Sequence, residues 1–95
     1  MHRLRYSRSA IRSMRKIAKS RTSQIMDALE ALAEMENPTS HHNVKAMKGD
    51  WAGSWRMRIG SYRAIFKVNP DPEAVSSEKL LLINVAEVGS RGDIY

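Results

Sequence analysis

Residues 55–68 read WRMRIGSYRAIFKV, and the order of residue types in this stretch decides the fold. Trp55, Met57 and Ile59 alternate with Arg56 and Arg58, a period of two that predicts a strand with one apolar face. Gly60-Ser61 follows, and glycine at the first of two turn positions suits a type II′ hairpin turn. The alternation then resumes, with Tyr62, Ala64, Phe66 and Val68 set against Arg63, Ile65 and Lys67. One face of this hairpin must pack on an apolar layer. Arg56, Arg58 and Arg63 then project from the other face, on neighbouring strands, so that their guanidiniums converge on one patch.

Working outward, Asn69-Pro-Asp-Pro72 opens a loop that runs to about Glu78. Lys79 to Val88 is almost wholly apolar and predicts a central strand. Gly89 to Gly92 reads as a turn and Asp93-Ile94-Tyr95 as a short tail. On the other side of the hairpin, residues 39–54 are polar, contain Gly49 and Gly53, and read as a long loop with a short strand around Val44 to Met47. Before it, Ile25, Leu29, Leu32 and Ala33 mark a helix that Asn37-Pro38 closes, because the residue before proline is pushed out of helical geometry. Ala10, Ile11, Met14, Ile17 and Ala18 mark an earlier helix, with Ser7 or Ser9 as its N-cap. Ser20 to Ser23 supplies the break and a new cap between the two, and so short a connection predicts an antiparallel pair. His2, Leu4 and Tyr6 alternate with Arg3 and Arg5, a strand pattern. The element order is β-α-α-(β)-β-β-β. This is an α+β fold, with the N-terminal strand and a helical hairpin packed on one face of a small, mostly antiparallel sheet.

The chain has 95 residues, which is one domain's worth (1–95), with a modest core and marginal stability alone. Sixteen Lys and Arg against ten Asp and Glu give a formal net charge of +6, a balance that favours a polyanionic partner. There is no cysteine, hence neither a disulfide framework nor a thiolate nucleophile. No apolar run approaches the roughly 20 residues that span a bilayer. The basic start, MHRLRYSRSAIRSMRKIAKS, lacks the continuous apolar stretch of a signal peptide. These features predict a cytoplasmic protein with no membrane association.

The charges are unevenly placed. Between Trp51 and Asn69 there is no Asp or Glu, and arginine, whose planar fork suits phosphate, outnumbers lysine there. A merely solubilising face is the competing reading, but like charges side by side destabilise a sheet. Lys45, Lys48 and Arg91 add to the patch if their loops border it, and Tyr95 can stack on a base or donate to a phosphate. A second basic feature is the first helix. From Arg3 to Arg21 there are eight Arg or Lys and no acid. Arg8, Arg12, Arg15, Lys16 and Lys19 form either a solvated face or a contact for structured RNA or an acidic protein.

Other chemistry finds no support. His41-His42 are adjacent and His2 is remote, which is no zinc spacing. No Walker loop, dinucleotide fingerprint, GxSxG or HExxH occurs. The acids are too scattered to hold a catalytic magnesium. Neither a metal nor another cofactor is expected. An RNA-cutting activity would then use the substrate's own 2′-hydroxyl as nucleophile, with arginines stabilising the charge that builds on the phosphate.

Three segments, Val44-Lys-Ala-Met-Lys-Gly49, Trp55-Arg-Met-Arg-Ile-Gly-Ser-Tyr-Arg-Ala-Ile-Phe66 and Val85-Ala-Glu-Val-Gly-Ser-Arg-Gly-Asp-Ile-Tyr95, are similar to the RelE/ParE toxin superfamily. Its members carry V-K-x-L-K-G, then W/Y-R-x-R-x-G-x-Y-R, then V-G-x-R-x-x-x-Y. The resemblance covers nearly the whole chain. It implies a RelE-like fold and a toxin of a type II toxin–antitoxin pair that cleaves mRNA in the ribosomal A site and so inhibits translation. Its implied partners are mRNA, the ribosome and a cognate antitoxin bound as a hetero-oligomer. By matched motif positions it implies a site made of Arg56 and Arg58, of Arg63 on the scissile phosphate, and of Arg91 and Tyr95. Two departures bear on catalysis. Ser90 stands where members often have histidine, and both hairpin positions that are sometimes lysine are arginine. Arginine is a poor general base, which leaves Lys45, Lys48, a loop histidine or Tyr95 for that task. Two other classes compete with the nuclease. One is the ParE branch of the same fold, which poisons DNA gyrase without cutting RNA, and the other is a non-catalytic RNA-binding module.

Overall fold

A computed structural model of the chain describes residues 1–75 and 79–90. The expected elements are present in the expected order: strand β1 (Arg3–Tyr6), helices α1 (Arg8–Arg15) and α2 (Lys19–Glu34), then strands β2 (Val44–Ala46), β3 (Trp55–Ile59), β4 (Tyr62–Pro70) and β5 (Leu81–Ser90). Single 3-10 turns at Pro38–Ser40 and Gly49–Trp51 shape the loops around β2. The five strands lie in the order β1-β5-β4-β3-β2. β1 runs parallel to β5, and every other neighbouring pair is antiparallel. The apolar run that marked β5 as central thus has a strand on each side over Leu82–Val85.

The hairpin turns at Gly60, with φ at +61°, while no described non-glycine residue has a positive φ. A positive φ at Gly60 and none at Ser61 fits the type II′ expectation. On β3 and β4, Met57, Ile59, Ala64 and Phe66 are buried in one cluster with Ala10 and Met14 of α1 and Ile25, Leu29 and Leu32 of α2. The two helices therefore cover the face the alternation assigned to them.

One irregularity shapes β5. Ile65 pairs with Glu87 and Phe66 with Val85, so Ala86 is an extra residue in the strand. Such a bulge shifts the alternation by one place. Val85 and Val88 both enter the core as a result, although three positions apart. Ser7 fastens α1 to this spot. Its Oγ accepts the Ala10 N–H at 3.0 Å as the N-cap and donates to the Ala86 carbonyl at 2.6 Å, while its own N–H reaches the Val85 carbonyl at 2.9 Å.

Three expectations are corrected. The break between the helices lies at residues 16–18, not at Ser20–Ser23, which belong to α2. Thr22 caps nothing in its own helix. Its hydroxyl reaches back to the Met14 carbonyl at 3.0 Å, which at the end of α1 also accepts the Ile17 N–H at 3.2 Å. Lys19 consequently starts α2 rather than ending α1. Second, Asn69 and Pro70 belong to β4, opposite Leu82 and Leu81, rather than to a loop. Proline is tolerated there because it stands on the last rung of the ladder. Third, Gly89 and Ser90 continue β5 opposite Arg63 and Tyr62 instead of starting a turn. No described helix is long and apolar enough to cross a membrane.

Candidate nucleic-acid interface

The register of the hairpin places the arginines. Arg58 stands directly opposite Arg63, and Arg56 directly opposite Ile65. Lys45 on β2 stands opposite Arg56. Each of these positions alternates with one in the core cluster, so all lie on the sheet face turned away from the helices. Directly opposed side chains start with Cβ atoms about 4.5–5.5 Å apart. The arrangement crowds like charge onto one side of β2, β3 and β4.

The side chains differ in freedom. Arg58 and Lys45 are exposed, and Arg56 and Arg63 are half-buried. Arg63 folds back over the turn, where its Nη1 donates to the Tyr62 carbonyl at 3.0 Å and, more weakly, to the Gly60 carbonyl at 3.5 Å. This fixes the guanidinium at the turn end of the sheet. The described carboxylates form ion pairs only with Arg3, which binds Asp71 at 3.0 Å and Glu73. Glu87, by its pairing with Ile65, is the one acid on the described strands of this face. Its carboxylate is held at the β5 edge by the Ser9 hydroxyl at 2.7 and 2.9 Å. Arg58 and Arg63 thus have no carboxylate partner among the described residues.

Lys48 is exposed and lies past the end of β2. Because Ala46 pairs with Trp55, this is the end of β3 away from Arg58. It does not join the arginine pair. Arg8, Arg12, Arg15, Lys16 and Lys19 are all exposed on the helical layer, whose inward residues Ala10 and Met14 are buried. They form a second basic surface, separated from the hairpin arginines by the sheet. Arg91 and Tyr95 lie outside the described residues, as does any turn or tail built from positions 91–95.

The histidine pair falls at a relevant place. The Arg58 N–H donates to the Asn43 carbonyl at 3.0 Å, which extends the β2–β3 ladder by one rung. The His41-His42 turn just before it therefore lies at the same end of the sheet as Arg58 and Arg63. Their rings stack, with centroids 4.5 Å apart. Burial, and secondarily the neighbouring His42, lowers the His41 pKa, and its Nδ1 accepts the Asn43 N–H at 3.0 Å. The spacing of the histidines along the chain gave no sign of this placement, because it depends on the pairing of β2 with β3. His2 is a structural residue. It is buried, its Nδ1 accepts the Leu81 N–H at 3.0 Å, and its Nε2 meets the Glu36 carbonyl at 3.1 Å.

The fold recurs among solved toxins. The toxin–antitoxin complex RelBE2 of Mycobacterium tuberculosis contains a chain that superposes with a TM-score of 0.70 at 19% identity, over 97% of this chain and 93% of that one. The RelE–RelB complex of Pyrococcus horikoshii gives 0.67 at 20% identity, over 97% of both chains. YafQ of Escherichia coli gives 0.61 at 11% identity, over 100% of this chain and 99% of that one. At these identities the likeness is one of fold. Comparison with curated proteins by sequence finds no match. A family model described as the ParE toxin of type II toxin–antitoxin system, parDE, matches residues 4–95. With a match that spans nearly the whole sequence, on a fold shared with RelE-type toxins, the chain belongs to the ParE toxin family, in the RelE/ParE superfamily of type II toxin–antitoxin toxins.

Proposed function

We propose that this toxin is a metal-independent endoribonuclease that cuts mRNA on the ribosome. The observation that carries the reading is the direct opposition of Arg58 and Arg63, flanked by Arg56 and Lys45, on a face whose acid is engaged elsewhere. Juxtaposed cations cost stability, and they are useful where a phosphate takes on extra charge. In the proposed reaction the 2′-oxygen of the RNA attacks the adjacent phosphorus and gives up its proton to a base. The bond from phosphorus to the 5′-oxygen breaks, and that oxygen takes a proton. The products are a 2′,3′-cyclic phosphate and a 5′-hydroxyl end. Arg63 and Arg58 hold the phosphate oxygens and stabilise the dianionic transition state. The candidate base for the 2′-proton is a neutral imidazole in the His41-His42 turn, which precedes the strand paired with Arg58, or Lys45 on that strand. Arg91 and Tyr95 complete the site by their motif positions. The helical cations Arg8, Arg12, Arg15, Lys16 and Lys19, with Lys48, contact ribosomal RNA.

The similar complexes from Mycobacterium tuberculosis and Pyrococcus horikoshii pair a toxin with an antitoxin. We infer a cognate antitoxin and a hetero-oligomer for this chain as well. One observation favours a second reading. The matching family is described as ParE, and the ParE branch acts on DNA gyrase. Induction of the toxin separates the two. An early collapse of translation with cleaved mRNA supports the nuclease, while loss of supercoiling with intact mRNA supports the gyrase-directed activity.

A further inference from the structure

The sheet carries a second row of polar groups on the arginine face, displaced along the strands from Arg58 and Arg63. Lys67 on β4 stands opposite Asn84 on β5, and Asn84 stands opposite Arg5 on β1. Each is bracketed by core-directed neighbours: Lys67 by Phe66 and Val68, Asn84 by Ile83 and Val85, Arg5 by Leu4 and Tyr6. All three therefore project from the face that bears Arg56, Arg58 and Arg63. Arg5 and Lys67 are exposed, and Asn84 between them is half-buried. Neither cation has an acid partner among the described residues, because the acids of the nearby loop, Asp71 and Glu73, are taken by Arg3.

With strands about 4.8 Å apart, Arg5 and Lys67 start about 10 Å from each other. Lys67 lies four residues along β4 from Arg63, or about 13 Å. A ligand confined to one phosphate at the hairpin cannot reach this row, whereas a polyanionic chain laid across the sheet can. We propose that Arg5, Asn84 and Lys67 form a second subsite for the same RNA strand, holding the phosphates and sugars several nucleotides from the scissile bond. This rests on the nuclease reading above. No Phe, Tyr or Trp stands on the described strands of this face, so the subsite offers charge and one amide rather than stacking. Its binding is tolerant of sequence and sensitive to salt.

The test is binding of an oligouridine dodecamer to the full chain across a salt series. The proteins compared are the wild type, Arg5→Ala, Arg5→Ala/Lys67→Ala, Arg63→Ala and the control Arg21→Ala, which removes an exposed cation from α2. The double variant should bind roughly tenfold more weakly at low salt. Its slope of log affinity against log salt should fall by about 1.4, at about 0.7 per lost phosphate contact on a single strand. Circular dichroism checks that the fold is retained. Wild-type affinity and slope in the double variant, with binding weakened by Arg63→Ala, would overturn the second subsite and leave the nuclease reading standing. A loss from Arg21→Ala equal to that from Arg5→Ala would also overturn it, by reducing the effect to net charge. A wild type with no salt-dependent affinity for RNA would sink the subsite and the nuclease reading together.

Discussion

Arg58 and Arg63 face each other across the β3–β4 ladder, on the side of the sheet turned away from the helices. Folding alone gives no reason for that pairing, since like charges directly opposed weaken a sheet. A function that needs two guanidiniums at one phosphate gives a reason. Arg63→Ala should leave thermal stability unchanged or slightly raised, because the side chain fills no core space. Activity should fall by about 10²–10³, the usual cost of losing one preorganised donor to a transition-state oxyanion. Cleavage of a defined mRNA on programmed ribosomes, without added metal, measures this. Wild-type cleavage by the variant would remove Arg63 from the mechanism.

Ser7 joins three structural features at one residue: the start of α1, the end of β1 and the bulge at Ala86. Ser7→Ala deletes the N-cap acceptor and the donor to the Ala86 carbonyl. Loss of a cap costs about 1 kcal/mol, and the orphaned carbonyl adds to it. The melting temperature should drop by several degrees, while Ser9→Ala, which removes a partner of Glu87 but no cap, should cost less. Equal melting temperatures for the two variants would show that the cap contributes little.

Acid should weaken the fold in part through His41. Burial and the adjacent His42 hold its pKa below the ordinary value of 6.5, and the Asn43 N–H points at Nδ1. As pH falls through about 6.5, the unfolded chain takes up a proton that the folded chain refuses. Stability therefore declines with falling pH until the folded-state pKa is passed as well. Urea midpoints for the wild type and His41→Asn, taken at about pH 7.5 and about pH 5, isolate the effect. The wild type should lose more between the two than the variant does. A parallel decline in both would assign the acid sensitivity to other groups.

The parts of the fold that were legible in the sequence are those that local pattern dictates. The alternation around Gly60 gave the hairpin, its inward and outward faces, and the arginine patch. The 3.6-residue spacing of Ile25, Leu29 and Leu32 gave α2. The features that escaped are set by non-local pairing. Ser20, Thr22 and Ser23 are residue types that favour breaks, yet Thr22 instead closes the end of α1 from within α2. Asn69 and Gly89 look like loop residues until the ladder between β4 and β5 is laid down. The row of Arg5, Asn84 and Lys67 depends on the register of three strands, one of them parallel and drawn from the far end of the chain. Scattered as they are at positions 5, 67 and 84, no motif could have joined them.

The antitoxin should occupy the groove between the helices. Tyr6, Ile11, Met14, Ile17 and Met26 line an apolar channel there, with Arg15 and Lys19 also in its walls. Ile11 and Met26 are 40% and 38% exposed, more than large apolar side chains with a settled place in a core would be. The Tyr6 hydroxyl is buried without a hydrogen-bond partner, and its pKa is raised by burial and then by Glu30. It is a donor in want of an acceptor. An amphipathic segment with apolar side chains on one face and carboxylates on its rim matches all three features, and acidic residues complement Arg15 and Lys19. Ile11→Glu and Met26→Glu place a charge where that apolar face would sit. Each should weaken antitoxin binding by tenfold or more, which is about 1.4 kcal/mol, and should weaken it more than it weakens toxicity without antitoxin, because the arginine face is untouched. Tyr6→Phe removes the unpaired hydroxyl. It should raise the melting temperature of the free toxin, since an unsatisfied buried donor costs about 1–3 kcal/mol, and raise that of the complex less. Calorimetric titration of each variant with antitoxin, beside growth arrest on induction without it, reads both sides. Variants that bind as tightly as the wild type would move the antitoxin to another surface.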